Sequence, residues 1–305
     1  MEIGDKVMTE GQNICIKDAV LDSGLVVIRK KASELWEAPL IRHYTKHGIE
    51  HSEKIIKIMN KLVGTSLKLN DDEAFVLLAA TYLHDIGMQQ SNTKGLTGGK
   101  VLRDLDEMDY IRENHNDISY AMVINSIKHK SICPSLGLEN FRDYVENIAC
   151  LVKYHRKHEL DDLQVDFYKG NQIRIPLLAA LLRLGDELHA DCDRVNVERL
   201  KFDNIPKESK IHWWCCLYVK SIDINEGKIK VIFRFPQKYE GNSILEVIKN
   251  RVLNSIKEQL DQVYELLDSY GLRLYKDVLC DVQYSQILDP IPIELWSDLK
   301  KKIIT

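Results

Sequence analysis

Polar residues at three places in otherwise apolar helical stretches could together bind a divalent metal ion. His51 lies just ahead of one apolar helical pattern, and Asp186 interrupts another. His84 and Asp85 interrupt the apolar run 79–88. A buried imidazole or carboxylate needs a partner, and both groups are good ligands for divalent metals. These residues therefore predict a metal site.

Two further histidines extend the candidate site. Arg112, His115 and Ser119 are three and four residues apart, which places them on one face of a predicted helix where they could meet a phosphate. His155 ends an apolar stretch, and Lys153 lies near it. Ordinary roles stay open for both histidines: a surface position for His115 and, for His155, a helix end whose dipole favours a cation.

The order His, then His-Asp, then a distant Asp resembles the pattern of the HD superfamily of metal-dependent phosphohydrolases. The likeness covers roughly residues 35 to 200. It is specific because several separate motif residues match the superfamily pattern in order, residue type and helical setting. The resemblance implies that a first metal ion is held by His51, His84, Asp85 and Asp186. In superfamily members with two metals, histidines in comparable places ligate the second ion, and the resemblance carries this role to His115 and His155.

The chemistry that the resemblance implies is metal-assisted hydrolysis of a phosphate compound. A divalent ion lowers the pKa of a bound water and polarises a phosphoryl oxygen, so a metal-activated water would be the nucleophile. Asp85 could bridge two ions, and with a single ion His115 would instead orient or protonate the leaving group. The implied catalytic residues are Asp85, His115 and Arg112. One or two ions per chain are expected, and their identity stays open among Mn, Mg, Fe, Ni and Zn.

Three basic side chains are candidates for binding the phosphate of the substrate. Guanidinium and ammonium groups suit anionic oxygens, and the candidates are Arg112, Lys153 and Arg183. Simple surface charge is the alternative for each, and it is the favoured one for Lys153. Glu187 could orient a histidine ligand from outside the metal shell. Two other histidines could line the pocket, although a structural role is favoured for them: His47 and His158.

Three functions are compatible with such a site. The first is a metal-dependent phosphohydrolase acting on a nucleotide or another small phosphate ester or anhydride. The second is a metal-dependent single-strand nuclease, which the net charge of −4 and the lack of a long basic stripe disfavour. The third is a non-catalytic module that binds a nucleotide signal or holds a structural metal, which the full ligand set disfavours. The expected partner is a small phosphorylated substrate, with a nucleotide as the leading candidate.

Length and composition fit a cytoplasmic enzyme. The 305 residues are enough for a full hydrophobic core and a smaller additional unit. No apolar run approaches the roughly 20 residues that a membrane span requires, and the first residues lack the character of a signal peptide. The seven cysteines show no Cys-x-x-Cys spacing, so free thiols in a reducing compartment are expected.

The elements that must position these residues are mainly helices. Helical periodicity from about residue 38 to 190 predicts an HD-type helical bundle, and the metal-binding domain is placed at 36–200. No function is assigned to residues 1–35. Within them, the basic triplet 29–31 is interpreted as a solvated turn, because three charges fall short of a nucleic-acid patch.

A polar, glycine-bearing stretch from Gln89 to Asp109 separates the His-Asp pair from His115. Its glycines lack the spacing of a phosphate-binding loop, which excludes a nucleotide site of that kind. Its place in the sequence suggests a mobile lid over the pocket mouth, and an ordinary surface connection is the alternative.

After about residue 200 the hydrophobic pattern changes from helical to alternating. Apolar residues alternate along 211–219 and 229–235 with a glycine turn between them, which predicts a β-hairpin. A long amphipathic helix over 245–267 and a further strand over 272–282 complete a small α+β subdomain at 201–305. Its role stays open between covering the pocket, forming a homo-oligomer interface and simple stabilisation.

Two adjacent tryptophans, Trp213 and Trp214, lie in the first predicted strand of this hairpin. Neighbouring residues of a strand point to opposite faces, so one of the two rings would be exposed. The sequence therefore leaves a role open here in stacking on a base or binding a partner.

Overall fold

The computed structural model describes most of the chain. The described residues are 13–37, 47–89, 105–128, 133–156, 158–168, 171–196 and 207–286. They form eight α-helices and two small β-sheets, which confirms the predicted mainly helical fold with a small α+β part near the C-terminus. None of the described helices combines the length and hydrophobicity of a membrane span.

Helices and strands follow the chain in a fixed order. The α-helices are α1 (Ala19–Trp36), α2 (Ile49–Val63), α3 (Asp71–Leu83), α4 (Leu105–Lys128), α5 (Val145–Tyr154), α6 (Ile175–Glu187), α7 (Lys207–Tyr218) and α8 (Ser243–Ser269). The strands are β1 (Asp166–Tyr168), β2 (Asn171–Ile173), β3 (Val219–Asn225), β4 (Lys228–Pro236) and β5 (Val278–Ser285). Short 3-10 turns lie at Ile86–Gln89, Arg142–Tyr144, Leu160–Asp162, Cys192–Arg194 and Gln237–Tyr239.

The chain divides into two compact units. The first contains Met1–Arg42, Gly48–Asp186 and Leu266–Leu272, and the second contains His43–His47, Glu187–Glu265 and Arg273–Thr305. Helices α1 to α5, α6 up to its penultimate residue, and strands β1 and β2 belong to the first unit. Helix α7, most of α8 and strands β3 to β5 belong to the second. The domain boundaries predicted from the sequence, 36–200 and 201–305, stay a prediction.

Helix α1 occupies a part of the chain for which the sequence predicted no helix. The Asp18 carboxylate accepts two backbone N–H groups of its first turn, which is a favourable N-terminal cap. Leu21, Leu25 and Ile28 are buried at helical spacing. The basic triplet 29–31 lies inside α1, so its interpretation as a turn is wrong because this periodic burial continues through it.

Helix α3 is buried on every side in the first unit. Its side chains from Asp72 to Leu83 are all buried. Asn70 and Glu73 form a capping box at its N-terminus. Glu73 is 1% exposed, and its Oε1 lies 2.6 Å from Nε of Arg174, so the buried carboxylate has a counter-charge. The helix ends directly before His84.

Two glycines permit close contacts between the elements that carry predicted ligands. A Cβ at Gly185 of α6 would lie 2.8 Å from Met59 Cγ on α2. A Cβ at Gly87 would lie 2.3 Å from the His115 carbonyl oxygen and 2.8 Å from Ser119 N on α4. All three distances are shorter than van der Waals contact, so a side chain at either position would force a neighbouring atom to shift.

A short β-hairpin inside the first unit was not predicted. Strands β1 and β2 pair antiparallel, with Asp166 opposite Ile173. Strands of three residues are too short to show an alternating pattern. The helical periodicity of the surrounding sequence therefore conceals them.

In the second unit, the prediction that the first strand of the hairpin covers 211–219 is wrong for most of this range. Residues Lys207–Tyr218 form helix α7, and strand β3 begins only at Val219. The four residues from Trp213 to Cys216 are all buried, and a short apolar run of this kind fits a helix as well as a strand. Trp213 and Trp214 are 1% and 4% exposed, so the prediction of an exposed tryptophan is also wrong.

The turn and the second strand of the predicted hairpin are confirmed. Strand β3 pairs antiparallel with β4, with Asn225 opposite Lys228. Glu226 and Gly227 have φ angles of 50° and 74°, and two positive φ angles are what a two-residue type I′ turn requires. Strand β5 lies parallel to β4, which gives the order β3-β4-β5. The predicted third strand thus exists, with a later start.

Helix α8 confirms the predicted long amphipathic helix. Its buried apolar side chains are three or four residues apart: Leu245, Ile248, Val252, Ile256, Leu260, Val263 and Leu267. Gly271, with φ of 84°, follows its end in the left-handed conformation that glycine adopts readily after a helix.

Candidate metal centre

All six predicted metal ligands lie in the first unit. Their places in chain order are His51 in the first turn of α2, His84 and Asp85 directly after α3, His115 in the middle of α4, His155 directly after α5, and Asp186 near the end of α6. The four histidines and Asp85 are buried. The Asp186 side chain is 27% exposed, so the solvent side of the cluster is at this residue.

One group of side chains surrounds the Oδ2 atom of Asp85. His84 Nε2 lies 3.1 Å from this oxygen, and His51 Nε2 lies 3.6 Å from it. Asp186 Oδ1 lies 3.0 Å from His51 Nε2 and 3.9 Å from His84 Nε2. Ligand atoms of His51, His84 and Asp85 all lie within 4.8 Å of one another. This group is compact enough to share one ion.

A second group surrounds the other carboxylate oxygen of Asp85. His115 Nε2 lies 3.1 Å from Oδ1, and His155 Nε2 lies 3.8 Å from it. The two Nε2 atoms are 3.2 Å apart. These three side chains also offer ligand atoms within 4.8 Å of one another. Asp85 therefore belongs to both groups, through one oxygen in each.

Hydrogen bonds on the far side of three imidazole rings fix how the rings face the cluster. In each ring, Nδ1 lies close to the backbone carbonyl oxygen three residues earlier: His84 to Thr81 at 2.8 Å, His115 to Arg112 at 2.7 Å and His155 to Val152 at 2.6 Å. A carbonyl oxygen only accepts, so Nδ1 carries a proton and a neutral ring turns its Nε2 lone pair toward Asp85. Metal-ligating histidines are oriented in this way.

The inward-facing atoms of the cluster are arranged as ligands for a cation. In neutral rings, the Nε2 atoms of His115 and His155 face each other with lone pairs at 3.2 Å, beside the Asp85 carboxylate. His84 Nε2 is buried and, among the described residues, makes no hydrogen bond of normal geometry. Such atoms repel one another strongly where water is excluded. The donor set therefore fits divalent metal ions, which imidazoles and carboxylates ligate together.

The electrostatics of the cluster set different protonation states for its residues. Burial would raise the pKa of the Asp85 carboxyl, but His84 and His115 hold it well below its ordinary value. Burial lowers the pKa of His84, yet the carboxylates of Asp85 and Asp186 raise it to a net value of about 9. Burial and the two neighbouring imidazoles lower the pKa of His155 to about 3. His155 is thus neutral at pH 7, the form that ligates a metal, whereas His84 is protonated and must release its proton when an ion binds.

The three predicted phosphate-binding side chains have different surroundings. Arg183 is 5% exposed, and its Nη2 donates to the Tyr154 carbonyl oxygen at 2.8 Å, so its guanidinium serves buried backbone acceptors. Lys153 is half-buried, with Nζ 5.4 Å from the centre of the Tyr120 ring. Arg112 is half-buried on α4. A phosphate contact stays a prediction for all three side chains, and Arg183 also binds backbone carbonyl groups.

Three other residues that the sequence singled out contact side chains outside the six ligands. These contacts are His158 with Asp117 at 3.3 Å, His47 with Arg194 at 3.0 Å, and Glu187 with Ser255 at 2.5 Å. His47 and Glu187 belong to the second unit. The pocket role of the two histidines and the orienting role of Glu187 stay predictions.

Sequence reasoning missed the residues that hold the ligand-bearing backbone. Asn116 is fully buried, and its Nδ2 donates to the Lys153 carbonyl oxygen at 3.1 Å. Ser119, predicted to face a phosphate, instead accepts the Gly87 N–H at 2.7 Å through its hydroxyl oxygen. The one signal that could have found Asn116 is its place directly after His115 in the chain.

The predicted lid falls mostly outside the described residues. Gln89 ends the 3-10 turn that follows Asp85, and helix α4 begins at Leu105. Residues 90–104 lie outside the part of the chain that the structure describes. The alternatives of a lid and a surface connection therefore stay predictions.

Comparisons with known proteins place the chain in a family. A comparison with curated protein sequences finds no match. A family model described as HD-CE matches residues 41–269, which is more than half of the chain. The matched range contains all six ligands and the buried groups of histidine and aspartate that could hold a metal ion. The predicted resemblance to HD proteins is confirmed, and the chain belongs to the HD-CE family.

Proposed function

We propose that the protein is a metal-dependent phosphohydrolase that cleaves a nucleotide or another small phosphate ester or anhydride. The observation that carries the proposal is the division of the Asp85 carboxylate between two groups of imidazoles. Its Oδ2 atom faces His51 and His84, and its Oδ1 atom faces His115 and His155. A carboxylate in this position is suited to bridge two metal ions, as in many sites that hydrolyse phosphate compounds.

Each group supplies the donors that a divalent ion needs. The ligands would be His51, His84, Asp85 and Asp186 for the first ion, and Asp85, His115 and His155 for the second. Bound ions would activate a water molecule and offset charge on the phosphoryl oxygens. Near neutral pH Asp85 is ionised and His155 is neutral, as metal binding requires, and His84 would release a proton to an incoming ion.

The ligand side chains are held so that little rearrangement is needed when a substrate binds. Backbone carbonyl groups fix three of the rings through Nδ1. Burial shields every ligand except Asp186 from water, and charges interact more strongly where water is excluded. We expect a substrate phosphate to approach from the side of Asp186.

Two half-buried cations support an anionic substrate. Arg112 precedes His115 by three residues, and Lys153 precedes His155 by two, so both belong to the segments that carry the second group. Guanidinium and ammonium groups suit phosphate oxygens. The net charge of −4 supports a small substrate over a nucleic acid, because the chain has no general attraction to a polyanion.

A substrate screen tests this proposal. Purified protein is supplied with Mn²⁺ or Mg²⁺ and with nucleotides, cyclic dinucleotides or single-stranded DNA, and the released phosphate or shortened products are measured. We expect metal-dependent turnover of a nucleotide or small phosphate compound that disappears in Asp85→Ala. Asp72→Asn is the control and should keep the activity, because Asp72 is a buried acid that accepts from the Tyr144 hydroxyl instead.

Three results would contradict the proposal. Turnover that survives in a folded Asp85→Ala protein would exclude the metal mechanism. Cleavage of single-stranded DNA without turnover of any small compound would indicate a nuclease. Tight nucleotide binding with no turnover under either metal would indicate a non-catalytic binding module.

A further inference from the structure

The end of helix α5 is held by an arginine from helix α6. Helix α5 ends at Tyr154, directly before His155. The last carbonyl groups of a helix have no partner within it. Here Nη2 of Arg183 donates to the carbonyl oxygens of Tyr154 at 2.8 Å and His158 at 2.5 Å. Arg183 is 5% exposed, so its guanidinium closes this helix end inside the protein.

A second contact joins helix α5 to helix α4. Asn116 is fully buried, and its Nδ2 donates to the Lys153 carbonyl oxygen at 3.1 Å. Asn116 directly follows His115, and Lys153 precedes His155 by two residues. The amide therefore fixes the distance between the two backbone segments that carry these imidazoles, whose Nε2 atoms are 3.2 Å apart.

We propose that Arg183 and Asn116 are positioning residues for the second metal ion. Both bind backbone carbonyl groups of the segment that carries His155, and together they hold this ring against His115 and Asp85. The inference rests on the proposed function, because it requires two ions that share Asp85.

The first group of ligands does not depend on these contacts. His51 lies on α2, and His84 follows α3, where its ring binds the Thr81 carbonyl oxygen. Asp186 shares α6 with Arg183, but the helix backbone that places Asp186 keeps its own hydrogen bonds when the Arg183 side chain is shortened. Loss of the Arg183 guanidinium should therefore weaken the second ion and spare the first.

A titration of the metal-free protein with Mn²⁺ tests the inference, with metal content and electron paramagnetic resonance as the two readouts. Two Mn²⁺ ions that share a carboxylate couple magnetically, so a pair and a single ion give different spectra. We expect two ions per wild-type chain. In Arg183→Met we expect an unchanged first ion and a second ion bound about 10- to 100-fold more weakly, the usual effect of removing a group that orients a metal ligand.

Three further variants make the test specific. Asn116→Ala should weaken the second ion in the same way, and it keeps the inference testable if Arg183→Met does not fold. Arg183→Lys retains a donor and should recover part of the affinity. Arg174→Met is the matched control, because Arg174 also binds a backbone carbonyl and the buried Glu73 at the far end of α3. It should lower stability and leave both ions bound.

The outcomes separate this inference from the proposed function. Unchanged affinity for two ions in folded Arg183→Met and Asn116→Ala would overturn the inference and leave the proposed function intact. Equal weakening of both ions, or the same loss in Arg174→Met, would indicate a general structural effect and would also overturn it. A wild-type chain that binds one Mn²⁺ would refute the inference alone, and one that binds none would contradict the proposed function itself.

Discussion

Asp85 is the residue on which both halves of the candidate metal centre depend. Four imidazole Nε2 atoms lie within 3.8 Å of its carboxylate oxygens. Polar groups buried this closely are costly unless each has a partner. Since Nδ1 of three rings is bonded to a backbone carbonyl oxygen, the Nε2 atoms of these rings face one another and the Asp85 carboxylate. A shared cation resolves that conflict. The same carboxylate is the expected bridge in the proposed reaction.

A hydroxyl group of helix α4 helps to hold the backbone next to Asp85. Ser119 Oγ accepts the buried Gly87 N–H at 2.7 Å. In Ser119→Ala this amide loses its acceptor, and we expect the free energy of unfolding to fall by about 1–3 kcal/mol, measured by urea denaturation. Ser126→Ala is the control with a smaller expected loss, because Ser126 Oγ donates to the Val123 carbonyl oxygen, which its own helix can also satisfy. Equal losses in the two variants would refute this role of Ser119.

At the scale of residues, the cluster of histidines and aspartates that could hold a metal ion was predictable from the sequence, and the residues that hold its backbone were not. His84 and Asp85 stand out because polar types interrupt an apolar run. Asn116 and Arg183 do not stand out, because they bind carbonyl groups of another helix and no residue type signals such a contact. Charge alone therefore suggested a phosphate role for Arg183.

At the scale of elements, helices with one buried face were predictable and segments buried throughout were not. The spacing of apolar residues in α2 and α8 marks one face of each helix. In α7, the residues from Trp213 to Cys216 are buried at consecutive positions. Continuous burial conceals the period that distinguishes a helix from a strand, so the alternation of 211–217 was misleading.

The glycines at two helix contacts near the site should differ in their tolerance of a side chain. In Gly87→Ala the Cβ would lie 2.3 Å from the His115 carbonyl oxygen, and backbone cannot move aside easily. In Gly185→Ala it would lie 2.8 Å from Met59 Cγ, which belongs to an adaptable side chain. We expect losses in the free energy of unfolding of more than about 3 kcal/mol for Gly87→Ala and about 1–3 kcal/mol for Gly185→Ala. Urea denaturation measures both, and the reverse order would contradict these contacts.

At the scale of the whole molecule, the chain consists of two compact units, and the candidate metal centre lies within the first. The first unit is interrupted after Asp186, the last ligand in the chain. The sequence shows a change of pattern near residue 200 but carries no signal for a division at Asp186, because helix α6 continues to Glu187. The HD-CE family match spans parts of both units.

Metal binding should stabilise the protein, because the ligands come from separate elements that only the folded chain brings together. A ligand that binds the native state alone adds about 2.7 kcal/mol to the free energy of unfolding at 100 times its Kd. We expect Mn²⁺ to raise the Tm of the metal-free wild type and a chelator to reverse the rise, as followed by scanning calorimetry. The rise should vanish in Asp85→Asn and persist in Asp72→Asn. An equal rise in Asp85→Asn would show that Mn²⁺ acts elsewhere.

Anomalous X-ray scattering from crystals of the Mn²⁺-loaded protein tests the shared metal centre most directly. We predict two manganese peaks on either side of the Asp85 carboxylate, one beside His51 and His84 and the other beside His115 and His155. Crystals grown at saturating Mn²⁺ that show no manganese peak within bonding distance of Asp85 would contradict the metal centre and the function proposed from it.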